Sequence, residues 1–130
     1  MIAADTSLLV RAIVGDDPAQ CAAARRWMSA HQRTGILVDH VVIVELVWVL
    51  RARYRRPRSE IARVLDLLLG TRGIVIPDET AVRSAITAYK SGRGDFADHL
   101  MRERALALGA TPVATFDTAL HGIKGFAKLR

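Results

Sequence analysis

Five carboxylates in this chain stand where acids can do chemistry. Asp5 directly follows the apolar run Met1-Ile2-Ala3-Ala4, and Asp117 follows Pro112-Val113-Ala114-Thr115-Phe116. Each has hydroxyl neighbours: Thr6 and Ser7 beside Asp5, Thr115 beside Asp117. Glu45 sits inside the most apolar stretch, His40-Val41-Val42-Ile43-Val44-Glu45-Leu46-Val47-Trp48-Val49-Leu50. Asp95 and Asp98 are three apart, a spacing that puts both on one face at the start of a helix. A Glu is rarely buried without a partner, and an isolated carboxylate among apolar groups takes up a proton. Glu45 therefore demands a cation. Either an arginine supplies it in a buried ion pair, or a metal ion shared with other acids does.

Acids gathered a few Å apart cannot all stay ionised without a cation between them. An oxygen-only donor set, without His or Cys, fits Mg²⁺ or Mn²⁺ rather than Zn²⁺. Such an ion lowers the pKa of water and offsets charge on phosphate, which is the equipment of phosphoryl chemistry. Taken singly, each acid also has a plainer reading. Asp5, Asp95 or Asp98 serves as a helix cap, and Asp117 as a turn residue.

The elements that must position these acids alternate along the chain. Residues 1–4 read as a first strand, and Asp5 or Thr6 caps a helix over 7–14. Gly15 stops it, Asp17 caps the next helix with Pro18 in its first turn, and that helix runs to about His31. Ile36-Leu37-Val38 is a second strand, followed by a helix that carries Glu45 about one turn in and reaches about Tyr54. After the basic turn Arg55-Arg56-Pro57-Arg58, Ser59 caps a helix with Ile61, Val64, Leu65, Leu67, Leu68 and Leu69 on its inner side. Ile74-Val75-Ile76 is a third strand. Helices follow from Pro77-Asp78 to about Tyr89 and from Asp95 to Leu108. The fourth strand is Pro112 to Thr115, and the tail from His121 offers an edge strand. Short apolar strands alternating with helices, without hairpin signals, predict an α/β sandwich with a mainly parallel sheet. Open parallel sheets bind ligands at the carboxyl ends of their strands. Asp5 and Asp117 follow strands, Asp95 and Asp98 open a helix and Glu45 lies about one turn into another, so the prediction is that four or five of them meet at one edge. With 130 residues and no repeat or linker, one domain over 1–130 is expected.

Composition narrows the partners. The net charge is +6, carried by 16 arginines against three lysines. Arginine's planar fork matches phosphate, so a polyanion is indicated; an arginine-rich coding bias accounts for the same numbers. Aromatic residues make up only 5%, which argues against a base-stacking sheet. No signal peptide is read, since Asp5 falls where its apolar core would begin, and no membrane span, since Glu45 and Arg51 interrupt the longest apolar run well short of about 20 residues. Cys21, the single cysteine, reads as small core filler. The cytoplasm is the expected compartment.

Four short words sharpen this picture: Asp5-Thr6-Ser7, Val44-Glu45-Leu46-Val47-Trp48-Val49-Leu50, Asp95-Phe96-Ala97-Asp98-His99-Leu100-Met101 and Thr115-Phe116-Asp117. In order and spacing the chain resembles the PIN-domain ribonucleases, specifically the VapC-type toxins of bacterial toxin–antitoxin pairs. The resemblance covers essentially the whole chain. It implies a three-layer α/β/α sandwich around a parallel sheet, and an acidic quartet that binds Mg²⁺ or Mn²⁺ and cleaves RNA. The quartet maps onto Asp5, Glu45, Asp98 and Asp117, with Asp95 a fifth acid and Thr115 supporting the last one. It further implies a cognate antitoxin, a homodimer, and tRNA, ribosomal RNA or mRNA as substrate. His99 and Met101 depart from a word that usually reads Ala and Ile there, which bears on the substrate groove and leaves a role for His99 open. On this reading Arg51, Arg53, Arg55, Arg56 and Arg58 are the candidates for contacts to the RNA backbone; a solvated helix end explains them equally.

Two rivals stand beside the nuclease. An aspartyl-phosphate phosphatase also uses Mg²⁺ and a strand-end Asp, but wants a second Asp two residues on, where this chain has Ser7. A basic binding module would use its acids only as caps and ion-pair partners. No Gly-rich nucleotide loop favours a kinase or dehydrogenase.

Overall fold

The computed structural model describes residues 1–130, which form two compact units, 1–77 and 78–130. The first unit contains β1 (Ile2–Ala3), α1 (Thr6–Val14), α2 (Pro18–His31), β2 (Ile36–Leu37), α3 (His40–Ala52), α4 (Arg58–Gly70) and β3 (Ile74–Val75). The second contains α5 (Glu79–Tyr89), α6 (Phe96–Ala107), β4 (Val113–Thr115), a 3₁₀ turn (Thr118–Leu120) and β5 (Phe126–Lys128). The chain is α/β and all of its strand pairs are parallel.

In the first unit the strands lie in the order β1-β2-β3, with Ile2 opposite Ile36 and Ile36 opposite Ile74. Parallel pairing brings the residues after β1 and β2 to the same end of this sheet, and an acid caps the next helix at each. Asp5 accepts from the Leu8 amide, and Asp39 accepts from the His40 amide. Asp17 does the same for Gln20 at α2, and Gly15 closes α1 in the left-handed conformation that glycine adopts most readily. The core is built from helix stripes. Ile43, Leu46, Val47 and Leu50 recur at i, i+3, i+4 and i+7 on α3 and are buried. Leu9 and Val10 of α1 and Ile61, Leu65 and Leu68 of α4 are buried too. A fully buried side chain of this kind stabilises by roughly 1.5–3 kcal/mol.

In the second unit α5 packs on α6. Val82, Ala85, Ile86 and Tyr89 of α5 are buried, as are Phe96 and Leu100 of α6. Tyr89 and Phe96 meet edge to face, with centroids 6.2 Å apart, a favoured geometry for the ring quadrupoles. The tail does form a strand: β5 pairs in parallel with β4, Val113 opposite Phe126.

Several sequence expectations need correction. Ser59 does not cap α4; the helix starts at Arg58, with Pro57 at the cap position, two residues before Ser59, and no side-chain cap bond. Proline's fixed φ leads into the first turn without one. Leu67 is not on the inner side of α4 but 65% exposed, because Ile61, Leu65 and Leu68 define the buried stripe and position 67 is turned about 100° away from 68. Helix α3 ends at Ala52 rather than Tyr54, and Arg55 turns the chain with a positive φ of 51°. Cys21 is only partly buried. No helix is long and apolar enough to cross a membrane.

Candidate active site

The apolar setting of Glu45 proves to be one-sided. Positions 43, 46, 47 and 50 turn inward, which leaves Glu45 on the outer face together with Val41 and Trp48, 58% and 54% exposed. Glu45 is exposed, and its partner is the Thr6 hydroxyl, which donates to Oε2 at 3.3 Å. The buried arginine pair weighed from sequence is therefore not formed. Helical periodicity, invisible in a run where nearly every residue is apolar, decided this.

Thr6 begins α1 immediately after Asp5, so the hydrogen bond links the two acids' elements. Asp5 accepts from the Ser7 hydroxyl at 2.8 Å and from the Leu8 amide at 3.0 Å, both on Oδ1. The Leu8 amide first, and the Ser7 hydroxyl second, hold its carboxyl below the usual Asp range. Asp5 and Glu45 line one groove of about 760 Å³ together with Ser7, Val10, Arg11, Trp48, Arg53 and Tyr54. Arg11 and Tyr54 both donate to Asp16, at 3.1 and 2.9 Å. The Tyr54 hydroxyl chiefly, and then the Arg11 charge, lower the Asp16 pKa, while Asp16 raises that of Tyr54.

The second unit holds the other acids. Asp95 and Asp98 form a capping box at the start of α6, with the Asp95 amide donating to Asp98 Oδ2 at 3.1 Å. Asp117 Oδ1 accepts from the Ala119 amide at 2.9 Å, and the Asp117 amide donates to the Thr115 hydroxyl at 2.9 Å. Thr115 thus supports the backbone of Asp117. His99 is buried at 1% exposure, with Nε2 bonded to the Arg93 carbonyl at 2.6 Å. It is a core residue of this unit.

Two of the four principal acids lie in each unit: Asp5 and Glu45 in the first, Asp98 and Asp117 in the second. Nowhere do three or more His, Cys, Asp or Glu side chains stand grouped as a metal site. Of the five arginines named from sequence, Arg53 lines the groove. Arg56 pairs with Glu60 at 3.4 Å, and Arg51 and Arg55 are exposed. Sequence reasoning passed over Arg11, Trp48 and Tyr54, although Arg11 lies four residues after Ser7 and Trp48 three after Glu45, the spacings of a shared helix face. It also passed over Asp39, which repeats at β2 the strand–Asp–helix order of Asp5.

The sequence model of the PIN domain matches residues 2–125. The chain belongs to the PIN domain family. It is also similar to a VapC ribonuclease of Aquifex aeolicus (strain VF5), with 30% identity over 81 residues. That alignment covers 62% of this chain and 60% of the relative's length. No solved structure matches.

Proposed function

We propose that this PIN-domain protein is an endoribonuclease dependent on Mg²⁺ or Mn²⁺, hydrolysing RNA phosphodiester bonds as the toxin of a toxin–antitoxin pair. Family membership and the similarity to a VapC ribonuclease support the reading. The observation that carries it is a pattern shared by Asp5, Glu45, Asp98 and Asp117. Each carboxylate is oriented by donors from its own neighbourhood: the Ser7 hydroxyl and Leu8 amide on Oδ1 of Asp5, the Thr6 hydroxyl on Oε2 of Glu45, the Asp95 amide on Oδ2 of Asp98 and the Ala119 amide on Oδ1 of Asp117. Neighbouring donors that orient a carboxylate are what a metal ligand needs, and the donor set is all oxygen, as Mg²⁺ and Mn²⁺ prefer.

In this reading Asp5, Glu45, Asp98 and Asp117 hold the ion, with Thr6, Asp95 and Thr115 in support. A bound divalent ion would make water a stronger acid and polarise the phosphoryl group. The chain's residues do the rest. The Leu8 amide and Ser7 hydroxyl keep Asp5 ionised and fix its rotamer. Thr6 holds Glu45 toward the groove, and Arg53 and Arg11 give that groove positive charge for a phosphate backbone. Arg51 near the end of α3, Arg55 and Arg56 in the turn after it and Arg58 at the start of α4 extend the positive charge. Residues 1–130 act as one nuclease domain, dimeric and cytoplasmic, inhibited by a cognate antitoxin, with tRNA, ribosomal RNA or mRNA as substrate. A basic binding module has one observation in its favour, the use of Asp5 and Asp117 as caps.

The test is metal-dependent cleavage of structured RNA by purified protein, stopped by EDTA. Asp5→Asn and Asp98→Asn are purified in parallel, to expose a contaminating nuclease. Cleavage should need Mg²⁺ or Mn²⁺ and be lost in both variants. Equal cleavage by wild type and variants would refute the proposal.

A further inference from the structure

We propose that Arg93 and His99 are positioning residues that clamp the start of α6 to the turn after β4, and so hold Asp98 and Asp117 in a fixed relation. The inference rests on the reading of those two acids as metal ligands.

His99 follows Asp98 on α6 and is buried. Its Nε2 lies 2.6 Å from the Arg93 carbonyl. A carbonyl only accepts, so Nε2 carries the proton and donates. The bond ties the loop before α6 back onto the helix's own first turn. The Arg93 side chain reaches the other way. Its Nη2 donates to the His121 carbonyl at 2.7 Å, and more weakly to the Ala119 carbonyl at 3.4 Å. The Ala119 amide is the donor that Asp117 caps. One chain of contacts thus runs from the residue beside Asp98, through Arg93, to the residue bonded by Asp117.

Gly94 makes the clamp tight. Its φ is +73°, and a Cβ there would stand 3.1 Å from both His99 Nε2 and Leu120 Cδ2. The backbone of residue 94 therefore fills the space between the His99 ring on α6 and Leu120 in the 3₁₀ turn. Leu120 is itself buried, at 2% exposure. Two sides of the loop are gripped by packing, and the guanidinium closes the third by charge-assisted bonds. Burial does not force Arg93 into this arrangement, because its residue is exposed. A packing role for His99 alone would not require Arg93 at all.

The experiment measures Mn²⁺ binding to the full chain without RNA, by electron paramagnetic resonance, alongside melting curves and steady-state cleavage. Arg93→Ala should weaken Mn²⁺ binding by roughly 10-fold or more, the effect typical of lost outer-shell support. It should lower kcat while KM for RNA and the melting temperature stay near wild type. Arg93→Lys keeps one donor for the His121 carbonyl and should recover much of the loss. His99→Phe keeps the ring's bulk without the donor and should weaken Mn²⁺ binding, while His99→Gln, which retains an N–H, should recover it. If His99→Phe fails to fold, the exposed Arg93 variants decide. Raised KM with unchanged Mn²⁺ binding in Arg93→Ala would make Arg93 an RNA contact and overturn the clamp. Wild-type Mn²⁺ binding and kcat in Arg93→Ala would overturn the clamp alone. Wild type that binds no Mn²⁺, matching Asp98→Asn, would overturn both the clamp and the metal reading beneath it.

Discussion

Ser7→Ala isolates the support of a single candidate ligand. The Ser7 hydroxyl is one of two donors on Asp5 Oδ1, at 2.8 Å, the other being the Leu8 amide at 3.0 Å. The variant keeps the helix cap and removes the second donor. A hydrogen bond to a charged group contributes roughly 1.5–3 kcal/mol when well buried. Asp5 and Ser7 are exposed, so solvent screening reduces this to about 0.5–1 kcal/mol, or roughly 2–4 °C in melting temperature. The pH dependence gives the sharper readout. Asp5 has a depressed pKa in the folded chain, so its contribution is present above the unfolded pKa and is lost as pH falls through the folded one. The Ser7 hydroxyl is the second-largest cause of that depression, so Ser7→Ala should raise the Asp5 pKa toward the ordinary value. The stability gap between wild type and variant should be full at neutral pH and close on the acid side. Carboxyl NMR titration and urea melts at neutral and acid pH measure both quantities. A gap that stays constant or widens on acidification, with an unmoved Asp5 titration, would refute the reasoning.

Three further outcomes follow from other parts of the molecule. Tyr54 donates to Asp16, which raises the phenol pKa; Asp16→Ala should bring the Tyr54 phenolate absorbance in at lower pH, and an unchanged ultraviolet titration would contradict the pair. Leu46→Ala, at a fully buried position, should cost about 2–5 kcal/mol by urea melts, whereas Leu67→Ala, at 65% exposure, should stay within about 0.5 kcal/mol; equal losses would overturn the stripe assignment on α4. Arg53→Ala should raise KM for RNA, reduce its salt dependence by about one unit of slope and leave stability near wild type; unchanged KM and slope would remove Arg53 from the RNA path.

Much of the fold was legible because its signals are local. Strand-then-Asp-then-helix at Asp5, Gly15 as a stop, the Asp17-Pro18 start and the Asp95/Asp98 spacing each act within a few residues, and each is seen in the structure. What local signals could not settle is which way a side chain points in a run that is apolar all round. Glu45 looked buried because its neighbours in sequence are apolar, yet its neighbours on the exposed helix face include Trp48 and Val41. Leu67 was misjudged for the same reason.

The order and types of the elements, the positions of the acids at strand and helix ends, and the basic balance were determined by the sequence itself, since capping, periodicity and charge need no distant partner. The tertiary structure alone decided that Glu45 faces solvent beside Thr6 rather than an arginine, that Arg11, Trp48 and Tyr54 share its groove, and that His99 is a core donor. It alone decided that Arg93 reaches across 26 and 28 residues to the turn at Ala119 and His121. Those outcomes depend on which faces are already filled by packing, and a side chain's face is fixed only once its helix has something to pack against.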